Sequence, residues 1–175
     1  MSEYKLTYEA FSKKHIETYY TWRNDVSINI YDQNGFNSPI AIEKVEPWCE
    51  AIIMQNDGYT FFIKDEVKDV YIGMCALFRI DSKNRNCELA IMIGDKSYWG
   101  KGIGTEVMNQ LLDWGFNSLN LHKIFLNVFS SNPRAIRLYE KVGFKFEGSR
   151  KEELYRNGKY EDILRYGFFA RDYKK

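Results

Sequence analysis

The feature that most constrains this chain is the stretch YWGKGIGTEV, from Tyr98 to Val107. Glycines stand at every second position, at Gly100, Gly102 and Gly104, and a lysine separates the first two. Glycine has no side chain, so it lets the backbone come close to a bound group. An apolar strand-like run precedes the stretch and a helix-like run follows it. This order predicts a strand, a glycine loop and a helix in succession.

Three phosphate-binding interpretations of the glycine stretch differ in how well the spacing fits. A P-loop needs a glycine five residues before a Gly-Lys-Ser/Thr motif, but that position holds Asp95 and a third glycine follows the Gly-Lys pair. A dinucleotide fingerprint would need glycine at Thr105 or Val107, so it fits poorly. A pyrophosphate site at a helix start needs only free backbone N–H groups, the positive helix end and a nearby lysine. A tight turn without any ligand stays as the alternative.

Length, charge and cysteine content bound the class of protein. A chain of 175 residues predicts a single domain over residues 1–175. The net charge of +1 gives no global field that would attract nucleic acid or a membrane surface, so neither is expected as a partner. The three cysteines are odd in number and lack a C-x-x-C spacing, which favours free thiols over disulfides or zinc. No leader or membrane-length apolar run is visible, and a cytoplasmic protein without a metal is expected.

The order of predicted elements indicates an α/β or α+β domain with a mixed central sheet. The parallel part is expected around Arg85–Phe129, where a helix connects two strands. Asn157-Gly158, between two β-rich runs, predicts a C-terminal antiparallel hairpin. The predicted strands are Tyr4–Phe11, YTFFIK, VYIGMCALFRI, Arg85–Ile93 and Lys123–Phe129. The predicted helices are SKKHIETYYTWRND, Ile40 to Met54, a helix through Val107, Met108, Leu111, Leu112 and Gly115 to about Asn120, and SNPRAIRLYEKVGF.

Two motifs in order carry a family resemblance. YWGKGIGTEV followed by NLHKIFLNVFSSNPRAIRLYEKVGF resembles the GNAT superfamily of acyl-CoA-dependent N-acetyltransferases. Within it, the chain is most similar to the RimJ/RimL-like ribosomal-protein N-acetyltransferases and the spermidine N-acetyltransferases. The resemblance is dense from Gly73 to Phe169 and thinner before that. It implies one GNAT-type domain with a mostly antiparallel mixed sheet, flanking helices and a C-terminal β-hairpin, and acetyl-CoA as co-substrate.

The resemblance also implies a set of cofactor-binding residues. The backbone at the end of the third central strand would pair with the pantetheine arm as an added strand does. The backbone of the glycine loop would hold the pyrophosphate, Lys101 would add charge or be merely solvated, and Asn132 would bond the arm while capping its helix. The family's Arg/Gln position holds Trp99, so no role follows for that side chain. The implied residues are Met92, Ile93, Gly94, Gly100, Lys101, Gly102, Ile103, Gly104, Thr105 and Asn132.

Acetyl transfer to an amine requires a neutral amine, and deprotonating a lysine-like amine at pH 7 costs about 4–5 kcal/mol. The resemblance makes Tyr139 the acid at the thiol sulfur; the alternative is a core aromatic residue. Glu88 is the candidate base, since a carboxylate in an apolar strand is costly unless it is paired or functional. The alternatives are a salt bridge from Glu88 to Arg85 or Arg79, and deprotonation through water without a dedicated base.

The acceptor and the remaining polar residues are less constrained. A polyamine would need clustered carboxylates, an amino sugar would suit the tetrad Trp22–Asp25, and a protein N-terminus would need an open groove. The candidate carboxylates are Asp32, Glu152, Glu153, Glu161 and Asp162, and the alternative is that they are solvated hairpin charges. His122 is interpreted as structural at a helix-to-strand corner, and Cys75 and Cys87 as buried strand residues. A non-catalytic acyl-CoA-binding module is the alternative function, and relatives suggest a homodimer.

Overall fold

The computed structural model describes residues 3–31, 39–156 and 158–173. Most of the predicted loop Tyr31–Pro39, including Asp32, and Asn157 of the predicted turn lie outside the described residues. The strands are β1 Leu6–Ala10, β2 Tyr59–Asp65, β3 Val70–Asp81, β4 Asn86–Ile93, β5 Lys123–Phe129, β6 Lys145–Arg156 and β7 Lys159–Phe169. The helices are α1 Ile16–Arg23, α2 Val26–Asn29, α3 Ile42–Met54, α4 Ile103–Asp113 and α5 Pro133–Val142.

The seven strands form one mixed sheet in the order β1-β2-β3-β4-β5-β7-β6. β4 and β5 run parallel with α4 between them in the chain, as the sequence predicts. β1 with β2, β5 with β7, and β6 with β7 are antiparallel. The predicted hairpin is confirmed, because Arg156 pairs with Lys159 and Gly158 has a φ of +81°, which suits a two-residue turn.

Backbone packing divides the chain into two compact units. The first unit contains residues 1–76 and 91–103, and the second contains residues 77–90 and 104–175. The prediction of one domain over residues 1–175 stays a prediction. Across the residues that the structure covers, no helix is long and apolar enough to cross a membrane.

The core of the first unit is built around Phe62 on β2, which is fully buried. Its ring stacks on Phe11 at 5.2 Å, on His15 at 4.4 Å and on Trp22 at 5.3 Å between centroids. These residues come from the end of β1 and from the helical stretch that follows it, so α1 is held against the sheet by rings. Offset aromatic pairs of this kind stabilise a core beyond their buried area.

The core of the second unit is built on α4 and β5. Val107, Met108, Leu111 and Leu112 are at most 1% exposed, which confirms the predicted apolar face of this helix. A Cβ on Gly115 would lie 2.4 Å from Cδ1 of Ile124, so glycine is needed where this helical stretch approaches β5. The helix continues past Asp113 as one π turn, Trp114–Ser118, which explains why the apolar pattern runs to about Asn120.

Candidate active site

The end of β4, where the pantetheine arm was expected, has a tightly constrained backbone. The N–H groups of Gly94 and Asp95 both donate to the carbonyl of Ile72, at 2.9 and 3.0 Å. A Cβ on Gly94 would lie 2.2 Å from Cδ2 of the Trp22 indole ring. Only glycine fits beside that ring, so Gly94 has a packing role that the sequence did not reveal. Met92 and Ile93 are half-buried and keep backbone close to the surface.

Trp99 occupies the position where the resembled family has arginine or glutamine, and the structure gives its side chain a role. Its indole Nε1 donates to the carbonyl of Ile93 at 2.8 Å. Between Ile93 and Trp99, residues 96–98 form a single 3-10 turn. Asp95 caps this turn, and its carboxylate accepts from the N–H of Ser97 at 2.9 Å. Trp99 therefore ties the start of the glycine loop back to the end of β4.

The glycine loop has backbone dihedral angles that glycine adopts more readily than other residues. Gly100 and Gly102 have φ angles of +78° and +83°, which side chains on L-residues rarely tolerate. Apart from the adjacent residues, no atom of the described residues lies within 4 Å of where a Cβ would stand on either glycine, so the space beside this backbone is open. Helix α4 begins directly afterwards at Ile103, whose side chain is 1% exposed. Open space beside the backbone and a helix N-terminus fit a phosphate group.

Gly104 and Lys101 of this loop also make contacts with other parts of the chain. A Cβ on Gly104 would lie 2.9 Å from Cδ2 of Leu138, so this glycine also allows α5 to pack closely on α4. The Lys101 ammonium lies 3.7 Å from Oε1 of Glu3 and 5.7 Å from the ring centroid of Tyr98. Lys101 is half exposed and keeps its charge near the loop, which leaves both interpretations of its role open.

Helix α5 has the N-cap, the first residue and the C-terminal glycine that the sequence predicts. The side chain of Asn132 accepts from the N–H of Ala135 at 3.1 Å, Pro133 is the first helical residue, and Gly143 ends the helix with a φ of +118°. Tyr139 is half-buried on this helix, and burial raises the pKa of its phenol to about 12. The hydroxyl of Tyr139 makes no hydrogen bond to any of the described residues. It is therefore protonated at neutral pH and available as a donor.

Glu88 on β4 is 7% exposed and is paired on both oxygens. Arg79 Nη1 donates to Oε2 at 2.9 Å and Asn127 Nδ2 donates to Oε1 at 2.7 Å. The predicted salt bridge is thus made by Arg79, whereas Arg85 donates instead to Asn120. A carboxylate has about four acceptor positions, so two donors still leave Glu88 able to accept from a water molecule or an amine.

The parallel ladder between β4 and β5 is short and ends at Glu88. Three residue pairs make up the ladder, and the last pair is Glu88 with Phe125. β5 goes on to Phe129 with β7 as its partner, while Leu89 and Ala90 continue β4. Backbone groups beyond the last pair are therefore not used between these two strands. An extended ligand can pair with such groups as an added strand does.

Comparison with known proteins decides the family. The model of the acetyltransferase (GNAT) domain matches residues 5–145 of the chain. The chain belongs to the GNAT acetyltransferase family. The resemblance stated from the two motifs is confirmed, and this GNAT chain is an N-acetyltransferase.

Three similar proteins place the chain within this family. The spermidine N(1)-acetyltransferase of Vibrio cholerae is 33% identical over 162 residues, which cover 92% of this chain and 91% of that protein. The crystal structure of a spermidine N-acetyltransferase from Vibrio cholerae with CoA and spermine has a TM-score of 0.85 and 31% identity, covering 95% of this chain and 96% of that one. The putative ribosomal N-acetyltransferase YdaF of Bacillus subtilis is 30% identical over 102 residues, or 58% of this chain and 55% of that protein.

The two units of this GNAT chain hold different parts of the predicted site. The first unit contains residues 92–94 and 100–103, with Trp22 and Trp99 fixing the backbone between them. The second unit contains Gly104, Thr105, Glu88, Asn132 and Tyr139. Within the second unit, β4 and β5 bring Glu88 and Asn127 together.

The acidic residues of the C-terminal hairpin are mostly paired. The Lys151 ammonium lies 2.7 Å from Asp162, and Arg150 lies 3.0 Å from Glu153. Glu161 accepts instead from the hydroxyl of Ser131 at 2.6 Å. Glu161 and Asp162 line an open cavity of 350 Å³ together with Ser130, Ser131, Lys159 and Tyr160. Asp162 and Glu153 are thus paired with cations of the hairpin, whereas Glu161 faces this cavity, which Lys159 also lines.

The cysteines and His122 of this GNAT chain are structural. All three cysteines are free and buried, and burial raises the pKa of the Cys75 and Cys87 thiols to about 12. A thiol with such a pKa is not a thiolate at neutral pH, which argues against a covalent cysteine route. At the predicted corner, the backbone N–H of His122 donates to the carbonyl of Arg85, while the carbonyl of His122 accepts from Ala170.

Sequence reasoning missed three polar residues. Asn127 holds Glu88, and its only signal is one amide in the otherwise apolar strand KIFLNVF. Asp65 is fully buried at the end of β2, directly after the predicted strand YTFFIK. His15 is fully buried among rings, although its neighbours Lys13 and Lys14 are exposed. Burial of such groups depends on residues distant in the chain, so local patterns do not reveal it.

Proposed function

We propose that this chain transfers the acetyl group of acetyl-CoA to a primary amine of a polyamine. The observation that carries the proposal is the β4–β5 ladder that ends at Glu88 while both strands continue, because it leaves backbone groups for an extended ligand arm. The open, positive-φ backbone at Gly100 and Gly102 next to the start of α4 supports a pyrophosphate at that loop.

The proposed binding residues act mainly through their backbone. Met92, Ile93 and Gly94 would pair with the pantetheine arm. The N–H groups of residues 100–105 would hold the pyrophosphate, with added charge from Lys101. Asn132 would contact the arm from the start of α5 while its side chain caps the helix. Backbone donors need no side-chain ordering, so this mode of binding depends on the glycines remaining glycine.

The proposed chemistry uses two side chains of the second unit. Acetyl-CoA supplies the thioester carbonyl carbon to which the amine nitrogen bonds. Glu88, held in place by Arg79 and Asn127, takes a proton from the amine directly or through one water molecule. Tyr139 gives its phenolic proton to the sulfur as the carbon–sulfur bond breaks, since burial keeps its pKa at about 12. The phenolate and the protonated carboxyl return to their starting states by exchange with water.

The acceptor class is proposed from two observations. The Vibrio cholerae relatives that match most of this chain are spermidine N-acetyltransferases, and one of them is solved with spermine. In this chain, Glu161 faces the cavity beside Ser131, and a carboxylate there would attract an ammonium group. An amino sugar and a protein N-terminus are the competing acceptors from the sequence, and both belong in the same test.

We also infer the setting in which the enzyme acts. Three free, buried cysteines support the reducing cytoplasm. The +1 net charge supports a protein without a nucleic acid or membrane partner. The 95% and 96% coverage shared with the solved relative supports one catalytic domain over residues 1–175. A homodimer is proposed on the family resemblance alone, and light scattering on the purified protein measures it.

Thiol release from acetyl-CoA in the presence of spermidine, glucosamine or a short peptide tests the proposal. We expect amine-dependent release with spermidine, and a fall in kcat of about 10²-fold or more in Tyr139→Phe at unchanged CoA affinity. Tyr166→Phe is the matched control, because its hydroxyl bonds Glu140 at 3.1 Å. Tight CoA binding without amine-dependent release would identify a non-catalytic module. Release only with the sugar or the peptide would overturn the polyamine assignment.

A further inference from the structure

A buried carboxylate in the first unit bonds the residue two positions before Gly100. Asp65 is fully buried at the end of β2. One of its oxygens accepts from the Tyr98 hydroxyl at 2.6 Å. The other accepts from the backbone N–H groups of Lys5 and Val67, at 3.2 and 3.0 Å. Burying a carboxylate is costly unless it is hydrogen-bonded. The three donors to Asp65 compensate for its burial and fix its orientation.

In this pair Asp65 is ionised and Tyr98 is protonated, so Tyr98 is the hydrogen-bond donor. Burial alone would raise the pKa of Asp65, but the bonds from Tyr98, Lys5 and Val67 outweigh it and the pKa falls below its usual range. Burial and the neighbouring Asp65 charge raise the pKa of the Tyr98 phenol well above its usual range. Tyr98 is 3% exposed, so water does not compete for its hydroxyl. A hydrogen bond to an ionised acceptor is about twice as strong as a neutral one.

The glycine loop needs such an anchor more than an ordinary loop does. Glycine loses more conformational freedom on ordering than any other residue. Among the described residues other than their chain neighbours, no atom lies within 4 Å of a Cβ built on Gly100 or Gly102, so side-chain packing there does not hold them in place. Within the loop the Lys101 carbonyl accepts a long bond from the exposed Tyr4 hydroxyl at 3.4 Å, and the shorter restraints lie just upstream, in the Tyr98–Asp65 bond and in the bond from Trp99 to the carbonyl of Ile93. Restraint before binding lowers the entropy cost of binding.

We propose that Asp65 and Tyr98 are positioning residues for the coenzyme A pyrophosphate, because their buried hydrogen bond holds the start of the Gly100–Thr105 loop in its binding geometry. Neither residue touches the reacting atoms. The inference rests on the proposed function, since it takes the loop to be the pyrophosphate site. It predicts that losing the bond weakens cofactor binding and leaves the chemical step intact.

Coenzyme A binding by Tyr98→Phe, measured by titration calorimetry, tests the inference. The variant keeps the ring and loses only the hydroxyl. We expect the Kd for coenzyme A and the KM for acetyl-CoA to rise roughly tenfold, with kcat at saturating acetyl-CoA within twofold of wild type. Tyr71→Phe is the matched control, because its hydroxyl also bonds a carboxylate of the first unit, Glu9 at 3.0 Å, without bonding the glycine loop.

A second variant keeps the test decisive if Tyr98→Phe does not fold, which thermal unfolding reveals. Asp65→Asn retains an oxygen for Lys5 and Val67 and offers an amide to Tyr98, so the bond survives without the ionic acceptor. Its affinity for coenzyme A should fall less than in Tyr98→Phe and more than in Tyr71→Phe. Wild-type affinity in Tyr98→Phe, or in Asp65→Asn where Tyr98→Phe does not fold, would overturn the inference, as would an equal loss in Tyr71→Phe. If the proposed function itself is wrong, the wild-type protein will not bind coenzyme A, and this result is distinct from a loss confined to the variants.

Discussion

Asn127 on β5 donates a hydrogen bond to Glu88 on β4 across 2.7 Å, beside the last pair of the ladder between the two strands. The amide thus joins the strands two residues beyond Phe125, where their backbones no longer pair. Arg79 holds the other oxygen of Glu88 from β3. The carboxylate is therefore fixed in orientation, as a base that must meet an amine at a defined position requires.

Replacing Glu88 by glutamine separates its two interpretations. Glu88→Gln keeps the size of the side chain and removes the proton acceptor. We expect kcat for acetyl transfer to fall about 10²-fold or more, with the Kd for coenzyme A unchanged. Steady-state thiol release and calorimetry measure the two quantities.

A second carboxylate of the second unit that also pairs with a basic side chain provides the control for Glu88. Glu147 lies 2.6 Å from Lys123 and 3.4 Å from Arg165, so Glu147→Gln loses ion pairs of the same kind elsewhere in the second unit. Its kcat should stay within twofold of wild type. If Glu88→Gln also keeps wild-type kcat, Glu88 serves only its ion pair, and water alone relays the proton.

Gly102→Val should weaken coenzyme A binding by at least tenfold. Valine at a φ of +83° strains the backbone by about 1–2 kcal/mol, and its branched side chain fills the open space that the phosphate would take. Gly158→Val is a close control, because Gly158 has a φ of +81° and equally open surroundings in the hairpin turn. Both variants carry the same backbone strain, so thermal unfolding should report similar losses.

Calorimetric titration with coenzyme A distinguishes these two glycine variants. Only Gly102→Val should lose affinity, because only its loop is proposed to hold phosphate. Equal affinity in the two variants would show that the cofactor does not use the Gly102 backbone, and the loop assignment would be wrong.

His15 should make the protein less stable in mild acid. Its Nδ1 accepts from the N–H of Ser12 at 3.0 Å, and its Nε2, fully buried, has no hydrogen-bond partner within the described parts of the chain. Burial chiefly, and then the charge of Lys14, lower its pKa, although Glu9 3.6 Å from Nε2 partly opposes this. The folded state then binds a proton less readily than the unfolded state, so stability falls as the pH drops below about 6.5.

Urea unfolding at pH 7 and pH 5 measures this dependence. The slope from one group is at most about 1.4 kcal/mol per pH unit. The pKa of Glu9 is about 2, and the hydrogen bond to Glu9 raises the pKa of Lys14, so neither of these charged neighbours of His15 titrates between pH 5 and pH 7. His15→Phe should keep the ring stack on Phe62 and flatten the slope, whereas His122→Gln should not. An unchanged slope in His15→Phe would exclude His15 as the source.

Much of the fold could be predicted from local patterns. The limits of β5 and the cap, first residue and end of α5 follow from alternation and from Asn132, Pro133 and Gly143, because these signals act within one turn or strand. The glycine loop was predictable for the same reason, since positive φ angles at Gly100 and Gly102 depend on residue type. The family was indicated by the resemblance of the glycine loop and the α5 motif, in that order, to the GNAT superfamily.

The candidate site was less predictable wherever its geometry depends on partners far away in the chain. Arg79 and Arg85 were equal candidates for the salt bridge with Glu88, and the course of β3 beside β4 selected Arg79. Gly94 was expected only as backbone for the pantetheine arm, and its close packing against Trp22, 72 positions earlier in the chain, was not predicted.

The sequence by itself determined which segments form strands and helices, where the glycine loop lies and which family the chain resembles. Those properties arise from interactions between near neighbours in the chain, which recur wherever the same residues do. Only the tertiary structure decided that Asn127 and Arg79 hold Glu88, that Asp65 anchors Tyr98 and that His15 is buried. Each of these features depends on contact between two separate segments of the chain. The sequence of either segment alone therefore does not predict the hydrogen bond or the burial.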